Sequence, residues 1–226
     1  MTSAIIVAAG QGTRMGPGTD KLFLEVAGRP LVAHTWGRFD AAKCIDQITM
    51  VVRDGMQTAF KDLAATFHFQ KPFQVVEGGE HRQDSVWNGL EALPSNCQLV
   101  AIQDGARPCT SEEIITATLQ AARLVGAAVA ARRLTDTIKE SDDSQLVSRH
   151  LDRTRLWSVQ TPQSFRIEVI RQALAAVRQK QIVVTDDTAA CELIGQPVRL
   201  VENSAPNPKA TLPADLTYIE ILLRKA

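Results

Sequence analysis

Two cations share one glycine-rich stretch near the start of the chain. Arg14 and Lys21 lie within Ala8-Ala9-Gly10-Gln11-Gly12-Thr13-Arg14-Met15-Gly16-Pro17-Gly18-Thr19-Asp20-Lys21, directly after the apolar run 4–8. Glycines that follow a first strand let the backbone come close to a ligand, and their amides can cradle phosphate oxygens. Spacing excludes two known phosphate loops. G-x-G-x-x-G fails because Met15 stands where the third glycine belongs, and G-x-x-x-x-G-K-[ST] has no match anywhere. A dinucleotide pyrophosphate can be held by amides and a helix dipole, whereas a triphosphate about to release pyrophosphate gathers charge that fixed cations must stabilise. Taken singly, an Arg or Lys beside a turn is most often a solvated surface charge. The glycines between these two point instead to phosphate transfer.

The second chemical feature follows the apolar run 99–102, which ends in Gln103-Asp104-Gly105-Ala106-Arg107-Pro108. Ligands of open α/β sheets sit beyond the carboxyl ends of strands, and an acid placed there near phosphates is a natural Mg²⁺ ligand. Asp104 is therefore the metal candidate. The competing reading of Asp-Gly is a turn former or cap. Arg107 is placed to pair with Asp104 or to reach an anionic substrate. His34, His68, His81 and His150 lie far apart in no motif, and no role is assigned to them. The four cysteines include no C-x-x-C pair, which is neither a zinc pattern nor a disulfide framework. A reducing, cytoplasmic setting is expected.

These groups need a scaffold. The chain has 226 residues, 25 Lys+Arg against 25 Asp+Glu, 45% hydrophobic and 22% charged residues. That balance argues against a protein living on nucleic acid or anionic lipid, which needs a basic excess, and against a disordered chain. The first residues carry no basic n-region, and no apolar run approaches the roughly 20 residues that span a bilayer, so neither a secretion signal nor a membrane span is expected. Strand-like runs at 4–8, 48–52, 74–76, 99–102 and 127–131 alternate with helical patterns at 31–39, 56–65, 83–93 and 111–124. This is the rhythm of βαβ units around a mostly parallel sheet, in one domain over 1–226. Thr110 and Glu113 have capping-box spacing, and Pro213 suits the first turn of a last helix.

Residues 132–160 break the rhythm. They are polar, and they read as a hairpin excursion that would need to pack on something, a second subunit being the obvious candidate. A helix at 167–177, a strand at 182–184, a helix at 188–194 closed by Gly195 and a strand at 198–201 follow.

The chain resembles the 2-C-methyl-D-erythritol 4-phosphate cytidylyltransferases of the nonmevalonate isoprenoid pathway over nearly its full length. The resemblance is carried by Ala8-Ala9-Gly10-x-Gly12-x-Arg14-Met15-Gly16, Lys21, Gly78-Gly79-Glu80-x-Arg82-x-x-Ser85-Val86, Asp104-Gly105-Ala106-Arg107-Pro108 and Asp136-Thr137-Ile138-Lys139. It continues through Asp152-Arg153-x-x-Leu156-Trp157, Gln160-Thr161-Pro162-Gln163, Thr185-Asp186-Asp187 and Asn207-x-Lys209-x-Thr211. It implies a Rossmann-like α/β fold of the nucleotide-diphospho-sugar transferase kind, with a protruding β-arm that interlocks a homodimer. It implies that Arg14 and Lys21 stabilise the transition state at the CTP α-phosphate and that Arg153 and Lys209 position the methylerythritol phosphate. Ala8, Ala9, Gly10, Gly12, Gly79, Glu80 and Ser85 fall where such enzymes hold the nucleotide. Asp104, Arg107 and Thr137 fall at their substrate and metal region, with Arg107 and Thr137 contacting the sugar phosphate of the partner subunit. Three positions depart from the usual pattern: Asp20 before Lys21 in place of proline, Glu80 in place of aspartate, and Pro208 in place of an aliphatic residue.

The implied chemistry is transfer of CMP from CTP to the methylerythritol phosphate, with Mg²⁺ as cofactor. A phosphate monoester has its second pKa near 6, so the nucleophile is already ionised at neutral pH and no general base is required. Two rivals are weighed: a CTP-dependent ribitol 5-phosphate cytidylyltransferase, which shares the glycine loop and the Asp-x-x-Arg-Pro block, and a non-catalytic nucleotide-sensing module on the same fold. Both loop cations together with Asp104 argue against the sensor.

Overall fold

Successive residues of the first strand, β1 (Thr2–Ala8), enter different cores: Ala4, Ile6 and Ala8 on one side, Ile5 on the other. A strand buried on both faces belongs in the middle of a sheet. The computed structural model describes residues 1–10 and 20–225. In it, β2 (Glu25–Val26) and β3 (Arg29–Pro30) form a small hairpin before α1 (Leu31–Ala41). Next come β4 (Gln47–Val52), α2 (Gln57–Thr66), β5 (Phe73–Glu77), α3 (Arg82–Glu91), β6 (Leu99–Asp104) and α4 (Glu112–Val125). The second half holds β7 (Ala127–Arg133), β8 (Ile138–Ser141), β9 (Val147–Leu151), β10 (Trp157–Arg166), α5 (Ile167–Lys180), α6 (Asp187–Glu192), β11 (Val198–Glu202) and α7 (Pro213–Lys225).

A seven-stranded sheet runs β11-β7-β10-β6-β1-β4-β5, parallel except where β10 pairs antiparallel with β7 and β6. Buried residues of α1, α2, α4 and α7, among them Trp36, Phe60, Leu119 and Ile219, cover one face. Residues of α3, α5 and α6, including Leu90, Leu174 and Cys191, cover the other. This is the expected mostly parallel sheet flanked by helices.

Several local expectations are corrected. The cap of α4 is Ser111, whose Oγ accepts from the Ile114 amide, and not Thr110. Thr110 is buried and turns inward, donating to the Arg107 carbonyl at 3.1 Å and lying 3.1 Å from Asn207 Oδ1. Residues 182–184 form no strand. Gln83 takes the place of a sheet partner: its Nε2 donates to the Ile182 carbonyl and its Oε1 accepts from the Val184 amide, each at 2.9 Å. The excursion expected at 132–160 is a hairpin only across β8 and β9, which pair antiparallel. Its flanks belong to β7 and β10 of the main sheet. Residues 157–160, expected as part of the excursion, join 161–166 in one strand, β10, although Pro162 inside it cannot donate to a ladder. The structure reconciles the two with a shift of register in the β10–β7 pairing between Val159 and Gln163.

Candidate active site

Strand register brings the chemistry together. Val7 is the partner of Asp104 across β1 and β6, and Ala8 is the partner of Val52 across β1 and β4, so three strands end at one level. A cleft of about 170 Å³ opens there. Ala8, the last residue of β1, and Ala9 and Gly10 after it line one side, and Gly79, Glu80 and Ser85 line it from the entry to α3. Lys21, Arg82, Asp104 and Lys209 supply its charge. Gly12 and Arg14 lie outside the described residues.

The glycine wall is a close approach that side chains would prevent. A Cβ on Gly78 would stand 2.4 Å from Ala9 Cβ and 2.8 Å from Ser85 Oγ, and one on Gly79 would stand 2.4 Å from Asp84 Cβ. The bare backbone lets the Gly79 amide donate to Ser85 Oγ at 3.1 Å, while Asp84 accepts from the His81 amide at 3.0 Å and fixes the helix start.

Asp104 anchors the charged floor. Its side chain is 11% exposed, with Lys209 Nζ at 2.8 Å from Oδ2, Arg82 Nε at 3.3 Å from Oδ1 and Arg107 Nε at 3.6 Å from Oδ2. Burial pushes its pKa up, but Arg82, Lys209 and Arg107 together outweigh burial and hold it at about 2. The Asp104 amide donates to Thr161 Oγ1 at 3.1 Å, which fixes the backbone as well. Arg107 reaches past Asp104 and donates from Nη1 to the Asn207 carbonyl at 2.7 Å, holding the loop that presents Lys209.

Lys21 begins a 3₁₀ turn, Lys21–Phe23, and donates from Nζ to the Ala210 carbonyl at 3.0 Å. The Ala210 amide donates in turn to the Ala106 carbonyl at 2.9 Å. The two lysines are thus carried on segments tied to each other and to the Asp104 turn.

Arg153 and Thr137 are not brought here. Both are exposed on the arm side of the molecule, and Arg153 donates to the Thr135 carbonyl. Neither lines the cleft.

Arg82 is the site residue to which the sequence reading gave no role. It bridges Asp104 and the fully buried Asp187, donating from Nη1 to Asp187 Oδ2 at 2.8 Å. The two carboxylates raise its pKa against the burial that would lower it. Gln163 completes the support, accepting from the Asp187 amide at 3.1 Å and the Thr188 amide at 3.2 Å. The blocks containing these residues were visible, but 105 positions separate Arg82 from Asp187 and only the fold joins them.

Among the described residues no group of three or more His, Cys, Asp or Glu could hold a metal ion. Asp104 is the acid on the cleft floor that a divalent cation could use, and with its oxygens facing Arg82, Lys209 and Arg107 such a cation would draw its other ligands from substrate phosphates and water, the habit of Mg²⁺.

A family model described as 2-C-methyl-D-erythritol 4-phosphate cytidylyltransferase matches residues 2–225. A curated relative of that name from Dehalococcoides mccartyi is 44% identical over 222 residues, covering 98% of this chain and 96% of the relative. One from Pelotomaculum thermopropionicum is 41% identical over 223 residues, covering 98% and 94%. The solved structure of 4-diphosphocytidyl-2C-methyl-D-erythritol synthase from Anaerococcus prevotii superposes with a TM-score of 0.88 at 32% identity, covering 99% of this chain and 96% of that one.

Proposed function

This chain belongs to the 2-C-methyl-D-erythritol 4-phosphate cytidylyltransferase family, and from that premise we propose how its cleft joins CTP to a sugar phosphate. The reaction transfers CMP from CTP to 2-C-methyl-D-erythritol 4-phosphate in isoprenoid biosynthesis, giving 4-diphosphocytidyl-2-C-methyl-D-erythritol and pyrophosphate. The ribitol phosphate reading is not favoured, since the relatives named above carry the methylerythritol phosphate in their names.

In our reading Ala8, Ala9 and Gly10 face the cytidine from one wall, and Gly79, Glu80 and Ser85 face it from the other, with Gly12 a further nucleotide contact. The ionised phosphate of the sugar attacks the α-phosphorus of CTP. A bond forms from its oxygen to phosphorus, the bond to the β-phosphate bridging oxygen breaks, and pyrophosphate carries away the electron pair. Lys21 and Arg14 neutralise charge growing on the α-phosphate. Lys209 leaves Asp104 for the incoming phosphate and aligns it, while Arg82 and Arg107 keep Asp104 ionised and in place. Mg²⁺, held by Asp104 and the triphosphate, would supply further neutralisation of the departing pyrophosphate.

Thr137, and with it Arg153, serves the site of a second subunit, whereas Arg107, which the resemblance assigned there with Thr137, stands beside Asp104 of its own chain. The observation supporting this is the arm itself: β8 and β9 are exposed almost throughout, and Leu146 and Val147 at its tip are each 66% exposed. A two-stranded ribbon is marginal alone. We therefore read the protein as a homodimer with shared sites, each chain one nucleotidyltransferase domain. All four cysteines are free thiols, which supports a cytoplasmic setting; among the described residues no helix is long and apolar enough to cross a membrane.

The convergence of Lys21 and Lys209 on one end of the sheet carries this reading. A pyrophosphate-release assay with CTP, UTP and ATP against methylerythritol phosphate and ribitol 5-phosphate tests it. Release is expected with CTP and methylerythritol phosphate. CTP binding without turnover on either acceptor would point to the sensing module.

A further inference from the structure

Lys21 must hold one direction to act on phosphate, and a lysine stem is flexible. Its root is fixed by its neighbour: Asp20 caps the 3₁₀ turn, accepting from the Leu22 amide on Oδ1 at 3.1 Å and from the Phe23 amide on its carbonyl at 3.0 Å. The second carboxylate oxygen of Asp20 is not idle. It forms an ion pair with Arg53 Nη2, the two side chains being 24% and 31% exposed. Arg53 directly follows β4, whose last residue Val52 pairs with Ala8, and the Arg53 carbonyl accepts from the Met56 amide at 3.1 Å in the turn before α2. The cap of the Lys21 turn is therefore bolted to the end of a central strand. Leu22, 3% exposed, plants the turn in the core between them.

We propose that Asp20 and Arg53 form a positioning pair that aims Lys21 at the α-phosphate, a device resting on the reading of Lys21 as a transition-state cation. Arg53 does not line the cleft, so it works through Asp20 and the 3₁₀ turn. A partly exposed pair of this kind contributes little to stability. Misdirection of a catalytic group by about 1 Å, in contrast, can cost up to roughly a hundredfold in rate. Loss of the pair should appear in turnover and hardly at all in melting temperature.

The test measures kcat, both KM values and Tm for Arg53→Gln, Arg53→Lys, Asp20→Asn, Asp20→Ala, Lys21→Ala and the Arg53→Gln/Lys21→Ala double variant. Arg53→Gln is expected to lower kcat about tenfold, with both KM values within about twofold and Tm within about two degrees. Arg53→Lys keeps the charge and restores most of the rate. Asp20→Asn keeps the cap but not the charge and matches Arg53→Gln, whereas Asp20→Ala loses both and falls further. In the Lys21→Ala background, Arg53→Gln adds nothing, because the group it positions is gone. Wild-type kcat in Arg53→Gln and Asp20→Ala beside an impaired Lys21→Ala would overturn the proposal. So would an equal loss from Arg53→Gln with and without Lys21. Wild-type turnover in Lys21→Ala is a separate result, and it would remove the reading of Lys21 itself.

Discussion

Asp104 is one acid serving three bases. With Lys209, Arg82 and Arg107 around it, its carboxyl falls from the ordinary value of 3.8 to about 2. A carboxylate with a depressed folded pKa contributes stability that is complete above its unfolded pKa and is lost as pH falls through the folded one. The Asp104 contribution, on the order of 2 kcal/mol, should thus be whole at neutral pH and vanish between about pH 4 and pH 2. Urea denaturation of Asp104→Asn beside the parent checks this: the parent is more stable at pH 7, and the gap narrows as pH drops across that interval. A gap independent of pH would show that the three cations do not depend on the ionised form. Lys209→Ala should act differently, raising KM for the sugar phosphate at least tenfold with little change for CTP, as steady-state kinetics would show.

At the scale of elements, what the sequence made legible was what local pattern controls. The strands around β1 were readable because they are buried on both faces and spell apolar runs. The Gly78-Gly79 wall was legible only through the resemblance, since its close approach depends on Ala9 and Ser85 being brought beside it. A Gly79→Ala variant would press its methyl onto Asp84, with the Asp84 backbone carbon 3.2 Å away, so the start of α3 must shift and carry Ser85 with it. A rise of tenfold or more in KM for CTP and a stability loss of about 1–3 kcal/mol are expected, measurable by kinetics and thermal melting. Elements whose identity depends on distant partners stayed hidden. β10 begins in Trp157-Ser158-Val159-Gln160 and contains Pro162, so only its pairing with β6 and β7 makes it a strand. Residues 182–184 are apolar and looked like a strand, yet a single glutamine side chain from α3 satisfies their backbone. For the same reason Lys21 and Asp104 could be singled out from their neighbours in sequence and Lys209 only through the resemblance, while Arg82 acquires a role only when α6 brings Asp187 beside it.

At the scale of the whole molecule, Arg153 and Thr137 lie exposed beside the arm and away from the cleft. If each site borrows the partner's arm, Arg153→Ala and Lys209→Ala homodimers are both weak. A heterodimer of the two then contains one intact site. After subunit exchange an equal mixture should regain about a quarter of parental activity, the statistical share of intact sites. No recovery, with heterodimers demonstrated by mass spectrometry, would place Arg153 in the site of its own chain.

The most direct measurement is a crystal structure of the protein with CTP. The pyrimidine is expected between Ala8–Gly10 and Gly79–Ser85, with the α-phosphate within hydrogen-bond reach of Lys21 Nζ and of Arg14. A triphosphate seated elsewhere, for instance in the cavity beside Thr116 and Leu124 at the other end of the sheet, would contradict the assignment of this cleft to phosphate transfer.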